Sequence, residues 1–176
     1  LYEYNGNIEK LKQQLSANQS ALDSASQDIS ALQADISQIQ DEIARKNDEY
    51  SNGTGADLKL LQNSMNLAQK ELEDAKNDLQ SYQLLYDEGA ISQTTLNQYI
   101  SMLDQRQKAV DDVKANVQKT KTALKDELNL LNVSLKSKQN QLSQLQQGNN
   151  SNVAMQQSSV SAAQVDLNTM VAKTAV

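Results

Sequence analysis

Chemistry needs side chains that ionise, coordinate or attack, and this chain offers carboxylates almost alone. His and Cys are absent, which removes the commonest metal ligands and the usual nucleophile–base pairs. Acidic residues gather at Asp41-Glu42, at Glu71 with Glu73 and Asp74, and at Asp111-Asp112. Close carboxylates become a general acid–base pair or a calcium site when they converge in a sheltered cleft. Here they fall mainly on positions that a helix leaves facing water, so solvation is the expected role. No Asp-x-Asp-x-Asp-Gly loop occurs, and no glycine-rich phosphate loop follows a strand. The sequons at Asn52-Gly53-Thr54 and Asn132-Val133-Ser134 are what chance supplies in a chain rich in Asn and Ser. The reading is non-enzymatic, with no catalytic residue, no cofactor and no metal.

The elements that carry these residues follow from composition and periodicity. The 176 residues include no Pro, Trp or Phe and only five Gly, and 3% are aromatic. So few aromatics cannot fill a three-dimensional core, but the Leu, Ile, Val and Ala present can fill a narrow seam between helices. Without proline, nothing forces a long helix to kink. The net charge of −6 and the lack of a basic stripe exclude nucleic acid as a partner. No apolar run approaches the length of a membrane span, and no signal peptide is visible. The pattern is already running at Leu1 and still running at Val176, so the chain reads as a segment of a longer protein.

Apolar positions recur at alternating steps of three and four. They run through Leu1, Tyr4, Ile8, Leu11, Leu15, Leu22, Ala25, Ile29, Leu32, Ile36, Ile39, Ile43 and Tyr50. The series resumes at Leu58 and continues to Tyr86, then runs from Leu96 to Leu145 and closes over Val153–Met170. A heptad held this long specifies helices that bury one stripe against a partner helix. Asn18, Lys46, Arg106 and Lys138 are polar entries in the same register. Long stems lying along the seam with their charges in water are the expectation for the cations.

Three punctuations interrupt the pattern, at Ser51–Gly55, at Gly89 and at Gly148–Asn152. Either the chain reverses at each, giving a four-helix bundle, or it reverses only at Gly89. In an antiparallel hairpin, facing residues have numbers that add to a constant. Tyr82 with Tyr99, Ala68 with Val113, Tyr50 with Leu131, Ile39 with Leu142 and Leu11 with Met170 all add to 181. Leu58 with Leu124 and Ile29 with Val153 add to 182. On this count one register survives both outer punctuations. The predicted fold is all-α, a long antiparallel coiled-coil helical hairpin with short breaks near 51–56 and 147–152. Each break is an unwound loop or a continuous stutter, and the paired glycines favour a loop at the first. The ascending arm covers 1–87, the tip 88–93 and the descending arm 94–176. Each arm of roughly 85 residues would reach on the order of 130 Å if helical throughout.

At the tip the sequence exceeds what periodicity requires. Gly89 suits a left-handed helix cap, and Ser92 suits the N-cap of the next helix. Ile91, just before that cap, is placed to staple onto Leu96. The segment Tyr82-Gln83-Leu84-Leu85-Tyr86-Asp87-Glu88-Gly89-Ala90-Ile91-Ser92 resembles the hairpin tip of the membrane fusion protein family. These are the HlyD-like periplasmic adaptors of efflux pumps and type I secretion systems. Their tips commonly carry an aromatic, a Leu pair and then Gly-Ala-Ile-Ser. The architecture matches over the whole chain, but the specific motif covers only about a dozen residues.

The resemblance implies a hairpin inserted in a lipoyl-like domain, with flanking lipoyl-like and barrel domains outside this segment. It implies an extracytoplasmic adaptor anchored to the membrane elsewhere, an ABC-type or other inner-membrane transporter reached through those domains, and neighbouring protomers at its side. Partner contact would fall on Leu85, Gly89, Ala90, Ile91 and Ser92. Members that dock an outer-membrane channel carry an Arg four residues before the Leu; here that position is Ser81, a departure that argues against a TolC-like channel. The rival readings are a structural coiled-coil tether and a coiled-coil regulator of a cell-wall hydrolase.

Overall fold

The computed structural model describes the backbone of residues 2–174 and the side chains of residues 9, 10, 12–163, 165 and 169. It is all-α. Helix α1 runs Tyr2–Asn52, α2 runs Ala56–Asp87 and α3 runs Gln93–Thr174. Two of the three punctuations interrupt the helices and the third does not. Of the two forms expected at 147–152, the unwound loop is absent, because α3 is helical straight through Gly148, Asn149 and Asn150. The reason is local. A lone glycine costs a helix interior about 1 kcal/mol, and Gly148 is not at positive φ, so nothing there forces an exit.

The chain divides into two compact units. One holds Glu42–Leu131; the other holds the residues up to Asp41 together with those from Asn132 on. In the first, α2 lies antiparallel to the opening half of α3. Its core is formed by Ala68, Leu72 and Val110, flanked by Met65, Leu103 and Val113. Leu58, Ala75, Leu96 and Leu124 are also buried, and Val110 is only 3% exposed. These residues belong to the predicted seam, and Ala68 with Val113 keeps the 181 register. So does Tyr82 with Tyr99, whose rings stack at a centroid separation of 3.6 Å and 17° between planes. Burying such a stripe is what stabilises helices of this length in water.

The second unit pairs α1 with the later part of α3 and has its buried residues at Leu32 and Ile36. Its seam thins outward: Leu15 is 52% exposed, Val153 40% and Val160 48%. Small and polar residues explain the loss. Ala25, Ala31 and Gly148 leave a hollow of about 550 Å³, also lined by Leu32, Leu145 and Asn149. The Asn149 Oδ1 is buried there without a hydrogen-bond partner. The proposed pair Leu11 and Met170 lies outside the described side chains.

The register of α1 departs from the sequence expectation. Lys46 Nζ lies 2.7 Å from Glu127, and Lys138 Nζ lies 2.8 Å from Asp35; both pairs add to 173 instead of 181. Lys121 sits 5.9 Å from the centre of the Tyr50 ring, a pair adding to 171. Tyr50 is therefore level with Leu124, which is also the partner expected for Leu58. Both ends of the break share this level: Glu49 and Lys46 from α1 line one hollow with Gly55–Leu58 of α2 and with Leu124 and Glu127. A Cβ on Gly55 would stand 3.4 Å from Glu49 Cγ. The last turn of α1 and the first turn of α2 thus lie side by side, and about one heptad is taken up between them.

Candidate functional site

Two places hold side chains in arrangements that the seam does not demand: the tip and the break between α1 and α2. At the tip, α2 ends in a Schellman motif. The Ala90 N–H donates to the Leu85 carbonyl at 2.8 Å, and the Gly89 N–H donates to the Tyr86 carbonyl at 2.9 Å. Gly89 supplies the left-handed residue at φ 75°, which a Cβ would strain. Three residues later α3 starts. The Thr95 N–H donates to Ser92 Oγ at 3.2 Å, and the two hydroxyls of Ser92 and Thr95 lie 3.1 Å apart. Ser92 is thereby the N-cap foreseen in the sequence. Leu96 is 4% exposed while Ile91 is half-buried, the positions of a hydrophobic staple.

The predicted contact residues share this end of the hairpin. Gly89, Ala90 and Ser92 are exposed, Ile91 is half-exposed and Leu85 is 38% exposed. Ser81 is exposed too, its hydroxyl donating to the Asn77 carbonyl at 3.0 Å. The sequence reading missed Leu84, which is 61% exposed. Its place outside the heptad, beside a seam that ends at Tyr86, is the signal that could have shown it. Below the tip, a hydrogen bond with Tyr82 raises the Tyr99 hydroxyl above its ordinary pKa, with burial adding to the effect.

At the break, α1 ends differently. The Gly53 N–H donates to the Glu49 carbonyl at 3.1 Å, a single bond closing an αL cap with Gly53 at φ 64°. Helix α2 begins at Gly55 with no side-chain cap. Asp48 holds the segment instead: it accepts from Asn52 Nδ2 and from Thr54 Oγ1, both at 2.6 Å. These donors favour the ionised carboxylate, Thr54 first, and lower its pKa. Lys46 bonds to Glu127 and lies 3.5 Å from Glu49. The bond to Glu127 raises the Lys46 pKa against the opposing cost of burial.

The seam cations do not simply end in water, as the sequence reading had it. Arg106 reaches Glu71 at 2.7 Å across the helix pair, and Lys46 and Lys138 do the same with Glu127 and Asp35. The exposed pairs Arg106–Glu71 and Lys138–Asp35 contribute little stability, about 0.2–1 kcal/mol each. In the carboxylate clusters, Glu71 is engaged by Arg106, and Asp111 lies 3.9 Å from Lys114 on its own helix. Among the described residues, no group of three or more carboxylates could hold a metal ion. None of their helices is long and apolar enough to cross a membrane.

The geometry thus defines a class, an antiparallel helical hairpin with a structured turn. No family model, curated protein or solved structure matches the chain.

Proposed function

We propose that the chain is the hairpin of a non-enzymatic, extracytoplasmic adaptor of the membrane fusion type. The hairpin acts as spacer and docking element in a transport or secretion complex. The observation that carries the reading is the tip. A turn needs only closure, and this one is closed by backbone bonds and a cap, with Ile91 and Leu96 at the positions of a staple, while Leu84 and Leu85 stay exposed. Exposed apolar side chains on a rigid turn are suited to a partner's apolar surface. The partner chemistry this supports is a protein assembly of the export machinery, with an inner-membrane transporter of ABC type engaged through other domains and further protomers alongside. Ser81 in place of Arg weighs against an outer-membrane channel.

Site-specific photo-crosslinking in cells producing the full-length protein tests this reading. A probe at Leu84 or Leu85 should capture a transport-complex component, and one at Leu60 of α2, about as exposed as Leu84, should not. Capture of a cell-wall hydrolase would favour the regulator reading. Equal labelling from both positions would favour a passive tether. The flanking gene sequence offers a second check: lipoyl-like halves on both sides support the adaptor, and their absence removes it.

A further inference from the structure

The disagreement between the two registers carries information of its own, independent of the adaptor reading. With facing numbers adding to 173 or 174, Tyr50 meets Leu124, Ile43 meets Leu131, Ile39 meets Leu135 and Leu32 meets Leu142. With numbers adding to 181, Tyr50 meets Leu131, Ile39 meets Leu142 and Ile36 meets Leu145. Both registers bring several apolar pairs face to face, because a heptad seam is nearly unchanged by a shift of seven residues, although the 181 count also sets Ile43 against Lys138 and Leu32 against Asn149. The structure occupies the first, as the Lys46–Glu127 and Lys138–Asp35 pairs show. The sequence alone satisfies the second.

We infer that α1 is a sliding helix with two registers on α3, and that the segment between Tyr50 and Leu58 stores the length that separates them. Eight residue positions separate Tyr50 from Leu58, and both now lie level with Leu124. Straightening the segment into continuous helix would move α1 along α3 by about 12 Å and place Tyr50 opposite Leu131. The segment is built to be reversible. Its ends are held by one αL cap bond, by Asp48 with Asn52 and Thr54, and by the half-buried Lys46–Glu127 pair. No proline blocks a helix there, and no apolar core residue lies between Tyr50 and Leu58. The occupied register also keeps a defect, the unpaired Asn149 Oδ1 beside the hollow at Ala25, so it does not saturate its own contacts.

Because the chain has no cysteine, introduced pairs report register directly. Three double variants of this 176-residue chain are oxidised in parallel: Ile39→Cys with Leu135→Cys for the occupied register, Ile39→Cys with Leu142→Cys for the alternative, and Ile39→Cys with Asn149→Cys as a control one heptad further on. Disulfide formation demands Cα atoms within about 7 Å, so each pair samples one register. The first pair should close fastest, the second measurably, and the control not at all. Gly53→Ala penalises only the looped segment, since Gly53 is at positive φ, and should raise the ratio of second to first pair roughly fivefold. Asp35→Asn with Glu127→Gln removes ion pairs specific to the occupied register and should raise it about two- to fivefold. A second pair closing no faster than the control, or a ratio unmoved by Gly53→Ala, overturns the inference. Equal closure of all three pairs, the mark of a chain holding no register, overturns it as well.

Discussion

The tip and the break between α1 and α2 both turn on a glycine in the left-handed region, at φ 75° for Gly89 and 64° for Gly53, yet only the tip reverses the chain. The difference lies in the residues on either side of each glycine. Around Gly89 stand two Schellman bonds, an apolar residue and a serine that caps α3 by its own side chain. Gly53 has one cap bond behind it and an uncapped helix start ahead. A left-handed glycine ends a helix; it takes an organised start to the next helix to choose a new direction. The third glycine cluster completes the contrast, since Gly148 lacks the left-handed conformation and α3 passes through it.

Substitutions can break or sharpen this contrast. The largest effect is expected at Leu96, the buried end of the tip staple: Leu96→Ala should lower the unfolding free energy by about 3 kcal/mol in chemical denaturation followed by circular dichroism. A loss under about 1 kcal/mol would mean that the staple is not what directs the turn. Next is Gly89→Ala, which forces a Cβ into the left-handed region and should cost about 1–2 kcal/mol. If α1 has a second register to move to, Gly53→Ala should cost less than Gly89→Ala despite the similar φ; equal losses would make the two glycines equivalent. Ser92→Ala removes the N-cap acceptor and should cost about 1 kcal/mol, with Ser92→Thr largely restoring it.

The opposite sign is expected at the third cluster. Gly148→Ala sits in open space within continuous helix and should stabilise by about 0.5–1 kcal/mol. The smallest effect is a pH dependence at the break. Hydrogen bonds from Thr54 and Asn52 hold Asp48 below its ordinary pKa. A depressed folded-state value means that the contribution is in place above the unfolded pKa and is lost as pH falls through the folded one. Carboxyl chemical shifts measured by NMR should show Asp48 titrating below the unfolded-chain value, and Thr54→Val should bring it back toward that value. An unchanged titration would remove Asp48 as the clasp of the break.

Much of this molecule is legible in its residues alone. Alternating apolar steps without proline require long helices, and pairs such as Ala68 with Val113 and Tyr82 with Tyr99 set the register next to the turn. Gly89, Ile91 and Ser92 announce the turn by side-chain chemistry that acts over a few residues. Local causes leave local signatures, which is why the tip could be read residue by residue. The acceptors Glu71, Glu127 and Asp35 could not be paired with their cations, because that pairing depends on how two helices are aligned.

The sequence by itself determined helicity, the seam and the place of reversal, since these depend on propensity, periodicity and caps. The paired glycines already favoured a loop at Gly53; only the tertiary structure decided that the helix runs on through Gly148, and that α1 meets α3 one heptad away from the count set at the tip. The physical reason is that a heptad pattern repeats under a shift of seven, so periodicity names the face that is buried without naming the partner residue. That choice falls to a few ion pairs and to the residues looped between Tyr50 and Leu58.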